Sequence, residues 1–316
     1  MRIGLDIGGT KTDAVAVDAT GAIVSRLRLP TGWGPDAVIR TLLHAVRTLA
    51  AETAASGPIE SVGIGIPGQV EPGTTRVVHA VNLGVQELDL VAAVGRQLGV
   101  PVRVENDVKA AAFGAHALHT SRRGSAAGSP GSMAYLNLGT GVAAGIVADG
   151  ELWRGGRGTA GEVGHISIDP RGPLCRCGQR GCIEALAGGG AIAKRWGRPA
   201  VLPVRDVFDA AEAGDPVAQQ LRAGLACGVA AAVRVLVLTA DVDLVVIGGG
   251  VSGLGGRLLA DVAGELAASA EASPFMRSLR LEQRIELLPT GSPAAALGAA
   301  LVGAPRGSRE GRQAYG

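Results

Sequence analysis

Apolar and polar positions follow one another along the chain in blocks that predict strands and helices of an α/β protein. Residues 2–7 form an apolar run that breaks into Gly8-Gly9-Thr10. Two further runs, 14–17 and 23–29, flank a turn at 18–21 and predict a β-hairpin. Val38, Leu42, Val46 and Leu49 recur at helical spacing and predict a helix over 35–54. Residues 61–66 predict a strand ending at Pro67-Gly68, 88–98 a helix, 102–104 a strand running into Glu105-Asn106-Asp107, and 108–118 a helix. The polar stretch 120–132, rich in Ser, Gly and Ala, reads as a flexible crossover and domain boundary, with Arg122-Arg123 in a solvated loop. The pattern then resumes. A strand over 133–138 ends in Gly139-Thr140-Gly141, and 142–147 with 151–153 predict a second hairpin around Asp149-Gly150. Helices dominate 190–239. A strand over 244–247 ends in Gly248-Gly249-Gly250, followed by a helix over 254–272, a strand over 285–288 and a last helix over 293–301.

The two halves echo each other. Residues 3–10 (IGLDIGGT) resemble residues 134–141 (AYLNLGTG), and each copy is followed by a hairpin. Coincidence among many strand–turn–helix segments is one reading. The sharper one is two related domains facing each other across a cleft, each presenting one Gly/Thr turn.

Composition narrows the function classes. The chain has 316 residues, 47% apolar and 18% charged, which is globular and not disordered. Thirty basic against 28 acidic side chains leave a net charge of +2 and no basic stripe, so a nucleic-acid partner is not expected. The most apolar region, 226–251, is interrupted by Arg234, Asp241 and Asp243, which argues against a membrane span. No secretory leader is read at the start, and three of four cysteines are clustered, which favours a metal over a disulfide framework. A cytoplasmic protein is expected.

The chemistry concentrates at the strand ends. Glycine-rich turns after strands expose backbone N–H groups, and a threonine adds a hydroxyl; both can cradle phosphate oxygens. Gly8, Gly9 and Thr10 form one such turn and Gly139, Thr140 and Gly141 the other. Asp6 closes its strand where a carboxylate can hold Mg²⁺, directly or through water, and Lys11 can add positive charge toward a phosphate. The sequence contains no Walker-type loop. Gly248-Gly249-Gly250 opens a formal dinucleotide pattern, but beside paired phosphate turns it reads better as a contact for a nucleotide's adenosine or α-phosphate.

Three cysteines within eight residues, Cys175, Cys177 and Cys182, follow His165 in the spacing His-x9-Cys-x-Cys-x4-Cys. Three thiolates and an imidazole complete a tetrahedral set for a structural Zn²⁺, with Gly178 and Gly181 allowing sharp turns. Unmetallated, reduced cysteines are the alternative. Cys227, in an apolar helical stretch, reads as core. Asp107 can accept the proton of a sugar hydroxyl attacking a γ-phosphate, with Asn106 bonding a neighbouring hydroxyl; equally, Asp107 can be no more than the N-cap of the next helix. Glu162 and Glu184 bracket the cysteine loop, either as rigid acceptors for adjacent hydroxyls or as surface carboxylates.

In order, Asp6-Ile-Gly-Gly-Thr-Lys-Thr12, Gly65-Ile-Pro-Gly68, Glu105-Asn-Asp107, Gly139-Thr-Gly141, Glu162-x-x-His165, Cys175-x-Cys-Gly-x-x-Gly-Cys-x-Glu184 and Gly248-Gly-Gly250 resemble the ROK family (repressor, open reading frame, kinase) of bacterial sugar kinases, its glucokinases above all. The resemblance implies a two-domain actin/hexokinase-like (ribonuclease H-like) fold with an interdomain cleft. It implies one domain from 1–118 with 293–316 and a larger one from 119–292 that carries the zinc loop. Asp107 is then the general base. Asn106, Asp107, Glu162, His165 and Glu184 are the sugar contacts, and Gly68 lines their pocket. The implied ligands are a sugar, ATP with Mg²⁺, and structural Zn²⁺, in a homodimer or homotetramer. Glucose is the first acceptor, with N-acetylglucosamine, N-acetylmannosamine, fructose, allose or a cyclitol as alternatives. Another nucleotide or polyphosphate remains open as donor. The family also holds repressors with a DNA-binding domain ahead of the sugar-binding part. Here Asp6 follows Met1 by five residues and Asp107 is intact, so an enzyme is expected and not a sugar-binding regulator.

Overall fold

The computed structural model describes residues 1–71, 73–123 and 131–304. The chain divides into two compact units, Met1–Gly114 with the segment from Pro293, and Ala115–Ser292.

In the first unit β1 (Arg2–Ile7), β2 (Lys11–Val17) and β3 (Ile23–Pro30) run antiparallel, and α1 (Pro35–Glu52) leads to β4 (Ser61–Ile66), parallel to β1. A three-stranded meander, β5 (Gln69–Val70), β6 (Arg76–Ala80) and β7 (Val85–Asp89), precedes α2 (Leu90–Leu98), β8 (Val102–Asn106) and α3 (Asp107–Arg123). The main sheet has the order β3-β2-β1-β4-β8. Isoleucines and leucines of β1 and β4 alternate with glycines, and α1 buries Val38, Leu42, Val46 and Leu49 against them, the stripe that the periodicity predicts.

The second unit repeats the plan. Strands β9 (Ser132–Leu138), β10 (Val142–Ala148) and β11 (Glu151–Trp153) are antiparallel. The helices α4 (Ile183–Ala187), α5 (Gly189–Trp196), α6 (Pro203–Glu212) and α7 (Pro216–Ala240) follow, then β12 (Leu244–Gly248), α8 (Gly256–Ala270), α9 (Pro274–Leu279) and β13 (Ile285–Leu287). The order β11-β10-β9-β12-β13 matches the first sheet strand for strand. This duplicated order is the ribonuclease H-like arrangement of the actin/hexokinase class, as the resemblance implies. Helix α7 is 25 residues long and apolar enough to cross a membrane on length and composition. Its Leu221, Leu225, Val229, Val233 and Leu236 belong to the core of the second unit, and Arg222 is paired with Asp261 of α8 at 2.6 Å.

The last helix, α10 (Ala294–Gly303), lies on β1 and β4 of the first unit. It carries Ala at 294, 295, 296, 299 and 300, and packs so closely that a Cβ on Gly4 would strike the Ala296 carbonyl and one on Gly63 the Ala299 carbonyl. Only glycine admits this backbone-to-backbone contact.

Three local expectations change. Residues 88–89 belong to β7, and the helix begins at Leu90, where Asp89 caps it by accepting from Ala92 N–H at 3.1 Å. The meander escapes prediction because its strands are two to five residues long and lack steady alternation. Arg122 and Arg123 lie in the last turn of α3 and not in a loop; of the expected crossover, residues 124–130 lie outside the described residues.

Candidate active site

Parallel strands direct their C-terminal ends to one edge of a sheet, where α/β proteins place ligands. In the first unit Asp6, the next-to-last residue of β1, is in register with Gly65 of β4 and Asp13 of β2, and β8 ends directly before Asp107. Burial, reinforced by the negative charges of Asp107 and Asp13 and opposed by Lys11, raises the Asp6 pKa from 3.8 to about 8. Crowded carboxylates of this kind hold either a proton or a cation.

Asn106 organises Asp107. Its Oδ1 accepts from the N–H groups of Val108 (3.0 Å) and Lys109 (3.1 Å), so the N-cap of α3 is Asn106. Its Nδ2 donates to Asp107 Oδ1 (3.0 Å) and to the Gly68 carbonyl (3.1 Å). The amide's two donors and two acceptor lone pairs are thereby engaged within the unit. Asp107 Oδ1 also accepts from Val108 N–H at 2.9 Å, which fixes the carboxylate plane.

The Gly8-Gly9-Thr10 turn closes with Gly8 N–H donating to the Lys11 carbonyl at 2.9 Å, and Gly9, Thr10 and Lys11 are exposed. A wholly buried hydroxyl, Thr31, donates to the Gly8 carbonyl at 2.7 Å and lies 2.9 Å from the buried Thr12 hydroxyl. In a trans peptide the carbonyl and the following N–H point opposite ways. Holding the Gly8 carbonyl toward Thr31 therefore turns the Gly9 N–H to the opposite side.

The second unit reaches the same result by other means. The Gly139 and Thr140 carbonyls accept from the N–H groups of Gly189 (2.9 Å) and Gly190 (3.0 Å) at the start of α5. The N–H groups of Thr140 and Gly141 are thereby turned away from α5. Glu184, only 6% exposed, accepts from Val142 N–H through Oε2 at 3.0 Å and pairs with Arg176 Nε through Oε1 at 3.0 Å. Gly248 lies opposite Asn137 across parallel β12 and β9, which sets Gly248-Gly249-Gly250 beside the second Gly/Thr turn. Asn137 occupies the place that Asp6 holds in the first copy, a difference already readable from the repeat. Thr31, Arg176, Gly189 and Gly190 have no local sequence signature, because their partners lie 8 to 50 positions away.

The ligand atoms of His165, Cys175, Cys177 and Cys182 all lie within 4.8 Å of one another. Cys177 Sγ is 3.7 Å from Cys182 Sγ, and Cys175 Sγ is 4.0 Å from His165 Nδ1. Zn–S bonds of about 2.3 Å in a tetrahedron put sulfurs about 3.8 Å apart, so the donor set and its spacing fit Zn²⁺. Gly178 and Gly181 turn the loop at φ 94° and 65°. Hydrogen bonds from the backbone and side chain of Gln179 lower the Cys177 thiol to about 6, while burial pushes Cys182 up to about 12. Glu162, exposed, directly precedes the short helical turn that carries His165. Cys227 lies part-buried in α7, outside the cluster.

The ROK family model matches residues 2–303. A glucokinase of Halalkalibacterium halodurans is 32% identical over 277 residues, covering 81% of this chain and 82% of its own length. An N-acetylmannosamine kinase of Citrobacter koseri is 37% identical over 268 residues, covering 82% and 86%. The crystal structure of a ROK family glucokinase from Streptomyces griseus in complex with glucose and AMPPNP superposes with a TM-score of 0.76 at 29% identity, covering 96% of this chain and 98% of that one. With the paired turns, the Glu-Asn-Asp junction and the cysteine cluster in place, these matches make the chain a member of the ROK family.

Proposed function

We propose that the chain is an ATP-dependent sugar kinase that phosphorylates a hexose at O6, with glucose as the first acceptor. One observation carries the reading: a carboxylate fixed by its neighbour, Asp107, shares a sheet edge with Asp6 and with a turn whose Gly8 carbonyl is held by Thr31, which points the Gly9 N–H away from it.

In this mechanism the Gly8-Gly9-Thr10 and Gly139-Thr140-Gly141 turns bind the donor's phosphates, Lys11 adds charge, and Gly248-Gly249-Gly250 meets the nucleoside side of the donor. Asp6 supplies the hard oxygen that Mg²⁺ prefers; the ion, when bound, neutralises charge on the phosphates. The sugar O6 attacks the γ-phosphorus while Asp107 accepts its proton. The new O6–P bond forms as the bond from phosphorus to the β,γ-bridging oxygen breaks, and ADP leaves with that electron pair. Asn106 and Gly68 act by holding Asp107. Glu162, His165 and Glu184 hold the other hydroxyls. Glu184 retains acceptor capacity because an ionised carboxylate offers about four lone-pair sites. His165, Cys175, Cys177 and Cys182 would hold Zn²⁺ as a structural ion, since four protein ligands would leave no position for a reacting water.

N-acetylmannosamine is the second acceptor reading, supported by the 37% identity to a kinase of that name. A panel of glucose, N-acetylmannosamine, N-acetylglucosamine, fructose, allose and cyclitols, each with ATP or polyphosphate in a coupled assay, ranks them. Glucose is expected to give the highest kcat/KM. No turnover with any acceptor, together with a salt-sensitive shift of duplex DNA, would replace the enzyme with a regulator. The resemblance also supports a cytoplasmic homodimer or homotetramer, which light scattering checks.

A further inference from the structure

Arg176 stands between two of the metal-loop cysteines, yet its side chain turns toward the Gly/Thr turn of the second unit. Its Nε donates to Glu184 Oε1 at 3.0 Å. Its Nη2 lies 3.2 Å from the point where a Cβ on Gly141 would stand, and the same Cβ would collide with Glu184 Oε2. Gly141 is therefore the residue over which the guanidinium is laid.

The pair takes one of the five guanidinium donors, and the Arg176 side chain stays 63% exposed while that of Glu184 is 8% exposed. Electrostatics at the turn gives the arginine a task. Glu184 is held against Gly141 by Val142 N–H and is 6% exposed. A bare carboxylate there would repel any anion brought to the N–H groups of Thr140 and Gly141, which are turned away from α5. Arg176 cancels that charge, and the bond to Glu184 fixes the orientation of its fork. Nη2 is then held beside Gly141, on a planar fork of the kind that suits phosphate oxygens.

We infer that Arg176 is a ligand of the donor's β- and γ-phosphates at the Gly139-Thr140-Gly141 turn. The inference rests on the reading of that turn as a phosphate site and assigns to the metal loop a direct part in donor recognition.

The test measures binding of a non-hydrolysable ATP analogue and of AMP to the metal-loaded wild type, R176Q, R176M and G141A by calorimetry, with glucose KM measured in parallel. R176Q and R176M are expected to weaken the triphosphate about tenfold or more, to weaken AMP less than about threefold and to leave the glucose KM within about twofold. The E184Q/R176Q double variant, which removes both charges, is expected to recover part of the lost affinity. Equal losses for AMP and triphosphate, or a loss confined to the sugar, would overturn the assignment. If G141A weakens the triphosphate and neither Arg176 variant does, the arginine assignment fails and the turn reading stands. If none of the three changes nucleotide binding, the turn reading fails with it. R176M carries the same test should R176Q fail to fold.

Discussion

The two Gly/Thr turns occupy equivalent places in two equivalent sheets, and they are built from different chemistry. In the first unit the next-to-last strand residue is Asp6, beside Asp107 and Asp13, and the turn is braced by the buried Thr31 hydroxyl. In the second that position is Asn137, the turn is braced by Gly189 and Gly190, and the nearby carboxylate is Glu184, paired with Arg176. Both solutions pin carbonyls so that the next N–H groups point away from the brace. What diverges is charge. The first edge is strongly acidic and suited to a cation; the second is neutralised and suited to an anion. Duplication preserved the backbone task and divided the electrostatic one.

This contrast can be broken most severely at Asp107. D107N is expected to lower kcat by about 10²–10⁴-fold, the usual contribution of a general base, with sugar binding by calorimetry still measurable. Next comes Asp6. D6N is expected to lower kcat by about 10²-fold and to raise the melting temperature at neutral pH. The sign follows from linkage. A carboxyl with a pKa of about 8 in the native state and 3.8 in the unfolded state makes the native form bind more protons between those values. Stability therefore declines as pH rises from about 4 to 8, and D6N should flatten that slope. A melting temperature that is unchanged or lowered across pH 5–8 would show that Asp6 is not strained by its neighbours. C175A is expected to release the metal, seen by elemental analysis, and to raise the glucose KM about tenfold; metal loss with an unchanged glucose KM would uncouple the loop from the sugar. The smallest effect is expected at Thr31. T31V keeps the shape, removes the hydroxyl and leaves the Gly8 carbonyl without its donor, at a cost of about 1–3 kcal/mol. Donor KM should rise about threefold to tenfold with little change in sugar KM, and T31S should restore it.

Much of this contrast can be read in the chain. The Gly/Thr turns announce themselves because each ends an apolar run, and the cysteine cluster because its ligands are close in sequence. The duplication extends to the sheets, since IGLDIGGT and AYLNLGTG each begin the same strand order. What the sequence conceals is set by distant contacts. Nothing near Thr31 indicates that its hydroxyl reaches Gly8, 23 positions away. Nothing near Glu184 indicates that it caps Val142, 42 positions away. Asp107 illustrates the intermediate case. Capping and catalysis are both open from the sequence; in the structure the Asn106 amide oxygen takes the cap while its NH₂ reaches Gly68, 38 positions away. The meander β5–β7 stays hidden because short strands bounded by polar residues leave no clear period.

The most direct measurement is hexose-dependent ADP release by the wild type and D107N side by side, at saturating Mg²⁺-ATP. The account predicts ADP production that requires a hexose, falls by about 10²–10⁴-fold in D107N and leaves sugar affinity within a few fold. Turnover by D107N close to that of the wild type, with sugar still required, would contradict it.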